Sequence, residues 1–199
     1  MRQRKKQPQL TRRTILEAAG AEFSRHGYAG TGLGAIVSRA ELTKGALFHH
    51  FSDKRAMAVA WIEDLLAPAL EERWMVPLEE VRSLDALRAF SRARCMELAP
   101  DDATSALVSL TSETAASDAV LGEALEKIFA RWRESLAALL ERGKTEGWIH
   151  RSIQPAAEAA FVVSAFAGFT VTTRTHPEEG IRRTCASALE GYLETLRAQ

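Results

Sequence analysis

The residues with the most to offer chemically lie in one short run, Thr43-Lys44-Gly45-Ala46-Leu47-Phe48-His49-His50, with Lys54 just beyond it. Read as a helix capped by Thr43, the run turns Leu47 and Phe51 inward and leaves an outer face that is polar or minimal. Such a face lets backbone come close to a nucleic-acid duplex. Lys44 has the reach for a guanine edge or a phosphate, and Gly45 removes the side chain that would hold the backbone away. The alternative for Lys44 is an ordinary solvated lysine. His49 and His50 could be read as a metal pair, but neighbouring helical residues point about 100° apart and chelate poorly, which leaves DNA contact or packing. Lys54 opposes the dipole at a helix N-terminus, an arrangement that a nearby phosphate would explain. Thr31 has two readings, as a helix cap and as a phosphate donor.

A second group is apolar and aromatic. Trp74, Phe90, Cys95, Phe129 and Trp132 could line a cavity for a small molecule, although each alone also reads as core. Ser109, Thr111, Ser112, Glu113 and Thr114 crowd hydroxyls and one carboxylate onto a helix that must pass between apolar neighbours. Some of those groups need partners, and a ligand could supply one. Glu113 is the residue to watch, with an internal bond to a tryptophan or arginine as its other explanation. Catalysis has no comparable signature. The chain lacks HExxH, GxSxG and GxxxxGK[ST], and Gly32-Leu33-Gly34 follows no strand, so neither an enzyme nor a cofactor is expected.

The elements that must position these residues read as helices throughout. Ile15, Leu16, Ala19 and Phe23 mark one behind Thr11 that stops at Gly27. Leu33, Ile36, Val37 and Ala40 mark a second, Lys44–His50 is the third, and Ser52 or Asp53 caps a fourth from Lys54. Amphipathic stretches follow at 84–98, 103–115 and 118–146, then one from Pro155 and a last one opened by Pro177. No strand alternation competes, so the expected fold is all-α with about nine helices. Three short helices with a brief turn between the second and third make a helix-turn-helix, whose second member enters the major groove.

Charge supports this division. Over the 199 residues, 26 Lys+Arg balance 26 Asp+Glu, yet residues 1–55 hold eleven basic and four acidic side chains and are therefore +7, leaving −7 for the rest. A basic head would be drawn to a polyanion while an acidic body keeps the molecule soluble. Met1–Gln9 reads as a disordered basic arm, 10–54 as the DNA-binding head and 55–199 as the effector-binding and dimerisation body. Cys95 and Cys185 stand in no metal-ligand spacing and suit a reducing cytosol. The most apolar stretch, Ala159–Val171, is short of the roughly 20 residues a membrane helix needs, and no secretion signal is visible, so a cytoplasmic location without membrane contact is expected.

Gly27-Tyr28, Thr31, Ile36–Ala40 and Thr43–Phe51 followed by Asp53-Lys54 together resemble the N-terminal signature of the TetR/AcrR family of transcriptional regulators. The resemblance implies a homodimer whose heads bind a palindromic double-stranded operator while the C-terminal helices hold a small-molecule effector and the dimer interface. Two positions depart from the pattern. Glu41 stands where glycine is frequent, at a cost of roughly 1 kcal/mol if the position is left-handed. Phe48 replaces a more usual tyrosine. The competing expectation is a helical dimeric small-molecule-binding or adaptor protein without operator binding. For the dimer, small residues on the last two helices, with Ala160, Phe161, Ala165, Gly168, Phe169, Leu189 and Tyr192 at the centre, would let helix axes approach closely around a twofold axis.

Overall fold

The computed structural model describes residues 2–99, 102–175 and 178–198. Among these the chain forms nine helices, the unbroken helical run from Lys54 to Glu80 counted as one. They are α1 (Arg2–Gly30), α2 (Leu33–Arg39), α3 (Lys44–His50), α4 (Lys54–Trp61 and its continuation), α5 (Leu84–Met96), α6 (Ala103–Thr114), α7 (Ala119–Glu146), α8 (Pro155–Thr175) and α9 (Glu179–Glu194). The only β pairing among the described residues is an isolated antiparallel bridge between Ile149 and Arg197. The fold is all-α, as the periodicity requires. Pro177, expected to open the last helix, lies outside the described residues, as do the side chains of Arg2, Arg4, Lys5 and Lys6.

Two compact units share the chain, Met1–Ala69 with Ser109–Glu126, and Leu70–Val108 with Lys127–Gln199. The first reaches well past the 10–54 head, because three short helices alone bury too little apolar surface to be stable. Its core is Ile15, Leu16, Ala19 and Phe23 of α1, Ile36 of α2, Leu47 of α3, and Met57 and Trp61 of α4. A Cβ on Gly20 would fall inside the Trp61 indole, so these two helices approach as closely as glycine permits. Glu22, 5% exposed, is held by Arg39 at 2.5 Å. The helix starts earlier than expected. Arg2–Gln9 is helical, running through Pro8, and Thr11 lies within α1 rather than at its start. Arg, Lys and Gln are good helix formers, and a helix nucleated by packing from Ile15 onward extends backwards through them. Gly27 interrupts α1 at φ 74, ψ 168, a conformation that glycine adopts without strain.

In the second unit α5 packs along α9, and the α9 stripe of Cys185, Ala186, Leu189 and Leu193 is buried. Arg197 with Asp85 and Glu194, and Arg88 with Glu194, tie the ends of these two helices. The chain from Lys54 to Glu80 changes pitch along its length, with π turns at Ile62–Leu66 and Glu71–Met75 and a 3-10 turn at Val76–Glu80. α7 ends where Gly147 takes φ 84. α8 is longer than its apolar centre, at 21 residues, with mean hydropathy 1.4 in a window only 33% buried. By length and composition it could cross a membrane, but in this fold it buries Ala159, Val162, Val163 and Phe166 within the second unit.

Candidate nucleic-acid interface

α3 is built by its cap and one inward leucine. Thr43 Oγ1 accepts from the Ala46 N–H at 3.2 Å, and Leu47 is buried. Lys44, Gly45, Phe48 and His49 are exposed, and as i, i+1, i+4 and i+5 they share one face. Phe48 keeps 50% of its surface in water, and a Cβ on Gly45 would meet nothing closer than 3.9 Å. His50 is half-buried at the edge of this face. Burial first, then His49 and Arg12, depress its imidazole pKa and keep the ring neutral to lower pH. The two imidazoles stand edge to face with centroids 5.3 Å apart. Glu41, in the turn before α3, is left-handed at φ 54, the one non-glycine residue with positive φ among those described. Asp53 caps α4 through the Ala56 N–H at 2.8 Å.

Two residues expected to meet phosphate are committed elsewhere. Thr31 is 2% exposed and its hydroxyl donates to the Gly27 carbonyl at 2.6 Å, while Gly32 occupies the N-cap position of α2 with no side-chain bond. Lys54 Nζ donates to the carbonyls of Tyr28 at 2.8 Å and Thr31 at 3.0 Å and lies 4.5 Å over the Tyr28 ring. Its four-carbon stem lets the ammonium fold back onto the α1–α2 turn, where carbonyls not used by the helix need donors. Tyr28 itself has a raised phenol pKa, through burial and then Asp118 and Asp53.

Glu113 also departs from expectation. It belongs to the first unit, with Ser109, and its oxygens accept the N–H groups of Tyr28 at 2.7 Å and Ala29 at 2.5 Å. It is therefore not grouped with the aromatic residues of the second unit. Neither a tryptophan nor an arginine but backbone is its partner. The sequence offered one faint signal of this, Gly27, whose positive φ turns the two N–H groups outward. In the second unit Trp74 is fully buried, 4.5 Å from Trp132, 4.5 Å from Phe166 and 6.3 Å from Phe90 between ring centroids. Its indole N–H donates to Thr104 at 2.9 Å. Cys95 is wholly buried, which pushes its thiol up to about 12, and Phe129 is half-buried. These rings pack on one another, and a cavity of about 220 Å³ in this unit is lined instead by Met75, Leu78, Ser135, Leu139 and Arg142 with neighbours.

On α8, Ala157, Phe161, Ser164, Gly168 and Val171 are exposed along one face, with Ala160, Ala165 and Phe169 half-buried beside it. Phe161 and Val171 keep 51% and 49% of their surface in water. Tyr192 of α9 is half-buried, its ring 4.4 Å from Phe161 and its hydroxyl on Glu158. Leu189 does not join them. At 2% exposure it is taken up inside its own unit, because the α9 stripe that looked in need of a second subunit is covered by α5.

Comparison with known proteins agrees with this architecture. Residues 15–60 match the sequence model of the family described as bacterial regulatory proteins, tetR family. The A-factor receptor protein of Streptomyces griseus is 28% identical over 163 residues, 82% of this chain, and the match spans only 55% of that receptor's length. The transcriptional regulator AcrR of Shigella flexneri is 43% identical over 53 residues, 27% of this chain and 25% of AcrR. Among solved structures, a TetR transcriptional regulator from Chloroflexus aurantiacus superposes with a TM-score of 0.86 at 23% identity, covering 98% of this chain and 100% of the other. GusR of Salmonella enterica superposes with a TM-score of 0.74 at 26% identity, covering 94% and 95%.

Proposed function

We propose that this chain, whose residues 15–60 match the tetR family of bacterial regulatory proteins, is a ligand-responsive transcriptional repressor that binds a palindromic operator as a homodimer and is released by a small molecule. The observation that carries DNA binding is the outward face of α3, where Lys44, Gly45, Phe48 and His49 stand exposed together in a segment of net charge +7. A seven-residue helix reads few base pairs. Two copies about a twofold axis double the contacts, with half-sites about 34–36 Å apart. The α8 face supports that dimer, since half-exposed Phe161 and Val171 flanked by small residues leave a large apolar strip that a second α8 would cover.

The Trp74, Phe90 and Trp132 cluster, with Cys95 and Phe129 beside it, is the place we assign to an apolar effector, which would enter by parting these rings. Similarity to a protein named as a receptor supports the effector half of the reading. No catalytic step is assigned, and the protein is placed in the cytoplasm with its DNA.

Selection of bound fragments from genomic DNA tests this. The protein should retain a small set of inverted-repeat sequences, with affinity falling steeply as salt rises. Failure to retain any fragment would leave a helical small-molecule-binding or adaptor protein without an operator.

A further inference from the structure

We propose that Cys95 and Cys185 are a reversible dithiol–disulfide pair, closed across the α5–α9 contact by a hydroperoxide, so that oxidation links two helices of the second unit covalently. Both helices lie in that unit, and both cysteines are free thiols in the structure. The pairing follows from the register of the two helices. Arg88 bonds Glu194 at 2.8 Å, Arg92 bonds Glu190 at 3.1 Å, and Arg197, just past α9, bonds Asp85 at 2.7 Å. α5 and α9 therefore run antiparallel, and four residues up one helix match four residues down the other. The residue before each α5 arginine and the residue before its glutamate are buried, which sets Leu87 against Leu193 and Ser91 against Leu189. The next step of four along the same buried stripes sets Cys95 against Cys185.

Side-chain size lets the sulfurs meet. Ser91 and Ala186 beside them are small, and small residues at a helix contact bring the axes toward about 8 Å, where facing Cα atoms come within the roughly 4.4–6.8 Å that a disulfide spans. Electrostatics agrees with that proximity. Burial first, and after it the charge of Cys185, push the Cys95 thiol up to about 12, and burial raises Cys185 as well. Such thiols hold little thiolate at neutral pH, so the pair answers sustained oxidant rather than a brief pulse. Cys185 keeps 9% of its surface in water against none for Cys95 and reacts first. Its thiolate sulfur attacks one oxygen of hydrogen peroxide, the O–O bond breaks, and the hydroxide that leaves takes the proton Cys185 gave up, which makes Cys185 a sulfenic acid. The Cys95 sulfur then attacks the sulfenic sulfur, the S–O bond breaks, and the released hydroxide takes the Cys95 proton as water. Two thiols have lost two electrons, and one peroxide has become two waters. The cross-link joins positions ninety residues apart, and a loop that long gains most from being closed.

The test is treatment of the full-length protein with hydrogen peroxide, removal of the excess with catalase, and thiol counting under denaturing conditions. Reactive thiols should fall from two to none. Digestion without reduction should give one peptide pair joining Cys95 to Cys185, and dithiothreitol should restore both thiols. The oxidised protein should melt roughly 5–10 °C above the reduced one. In Cys95→Ala that rise should disappear, and dimedone should trap Cys185 as the sulfenic acid that the cross-link otherwise consumes. Both thiols surviving a treatment that oxidises the unfolded chain, oxygen added at either cysteine of the unaltered protein without a cross-link, or a covalent dimer each overturns the pairing. None of these readouts involves DNA, so their failure leaves the operator reading untouched, and failure to find an operator leaves the pair standing.

Discussion

In the first unit, polar side chains are directed at backbone. Thr31, Thr43, Asp53, Lys54 and Glu113 each bond to a main-chain group of a turn or cap, and together they set how α1, α2 and α3 follow one another. In the second unit the weight falls on aromatic and aliphatic bulk around Trp74. There the charged side chains mostly pair with one another on the surface, as Arg88 does with Glu194 and Arg92 with Glu190. The difference follows from size. The seven-residue helices α2 and α3 each bury one side chain, Ile36 and Leu47, so their orientation has to be fixed by directed bonds, whereas helices of thirteen to twenty-eight residues orient by packing. Polar substitutions should therefore change geometry in the first unit, and truncations should change stability in the second.

The largest effect expected is on assembly. Gly168 has open space around it, so Gly168→Arg fits the monomer without strain. It should yield monomer by light scattering and abolish operator binding with every α3 residue intact, while an unaltered dimer mass would place the interface elsewhere. Next is Trp74→Ala, which removes the centre of the aromatic cluster and the donor to Thr104. Urea unfolding should show a loss of about 3–5 kcal/mol, and a much smaller loss would mean that the second unit does not depend on bulk there.

Lys44→Ala should weaken specific operator binding by about 1–3 kcal/mol. Lys54→Gln should weaken binding to all DNA without changing the salt slope, since the ammonium serves the turn. A slope lowered by about one would return Lys54 to a phosphate. Glu41→Gly relieves a left-handed glutamate and should stabilise the protein by about 1 kcal/mol in thermal unfolding. The smallest effect concerns Asp53, whose carboxyl is held below its usual range by the Ala56 N–H and then Ser52. A depressed carboxyl adds stability above its unfolded pKa and loses it as pH falls through the folded value. Any advantage of the native residue over Asp53→Asn should therefore fade below about pH 4, and an advantage that grew in acid would contradict the cap.

Most helix positions, the capped segment Lys44–His50 and the basic charge of residues 1–55 are legible in the amino-acid order. They depend on local periodicity, on caps such as Thr43 and Asp53, and on counted charge, none of which needs to know what lies across the fold. The left-handed geometry of Glu41 could likewise be anticipated from its place in the turn. Only the tertiary structure could decide where long polar side chains go. Lys54 and Glu113 are free to reach several neighbours, and their targets, backbone groups 26 and 85 residues away, follow from how α4 and α6 lie against the α1–α2 turn. The same holds for Leu189. An apolar stripe tells that something covers it, but whether α5 of the same chain or a second subunit does so depends on packing at long range, which periodicity does not encode.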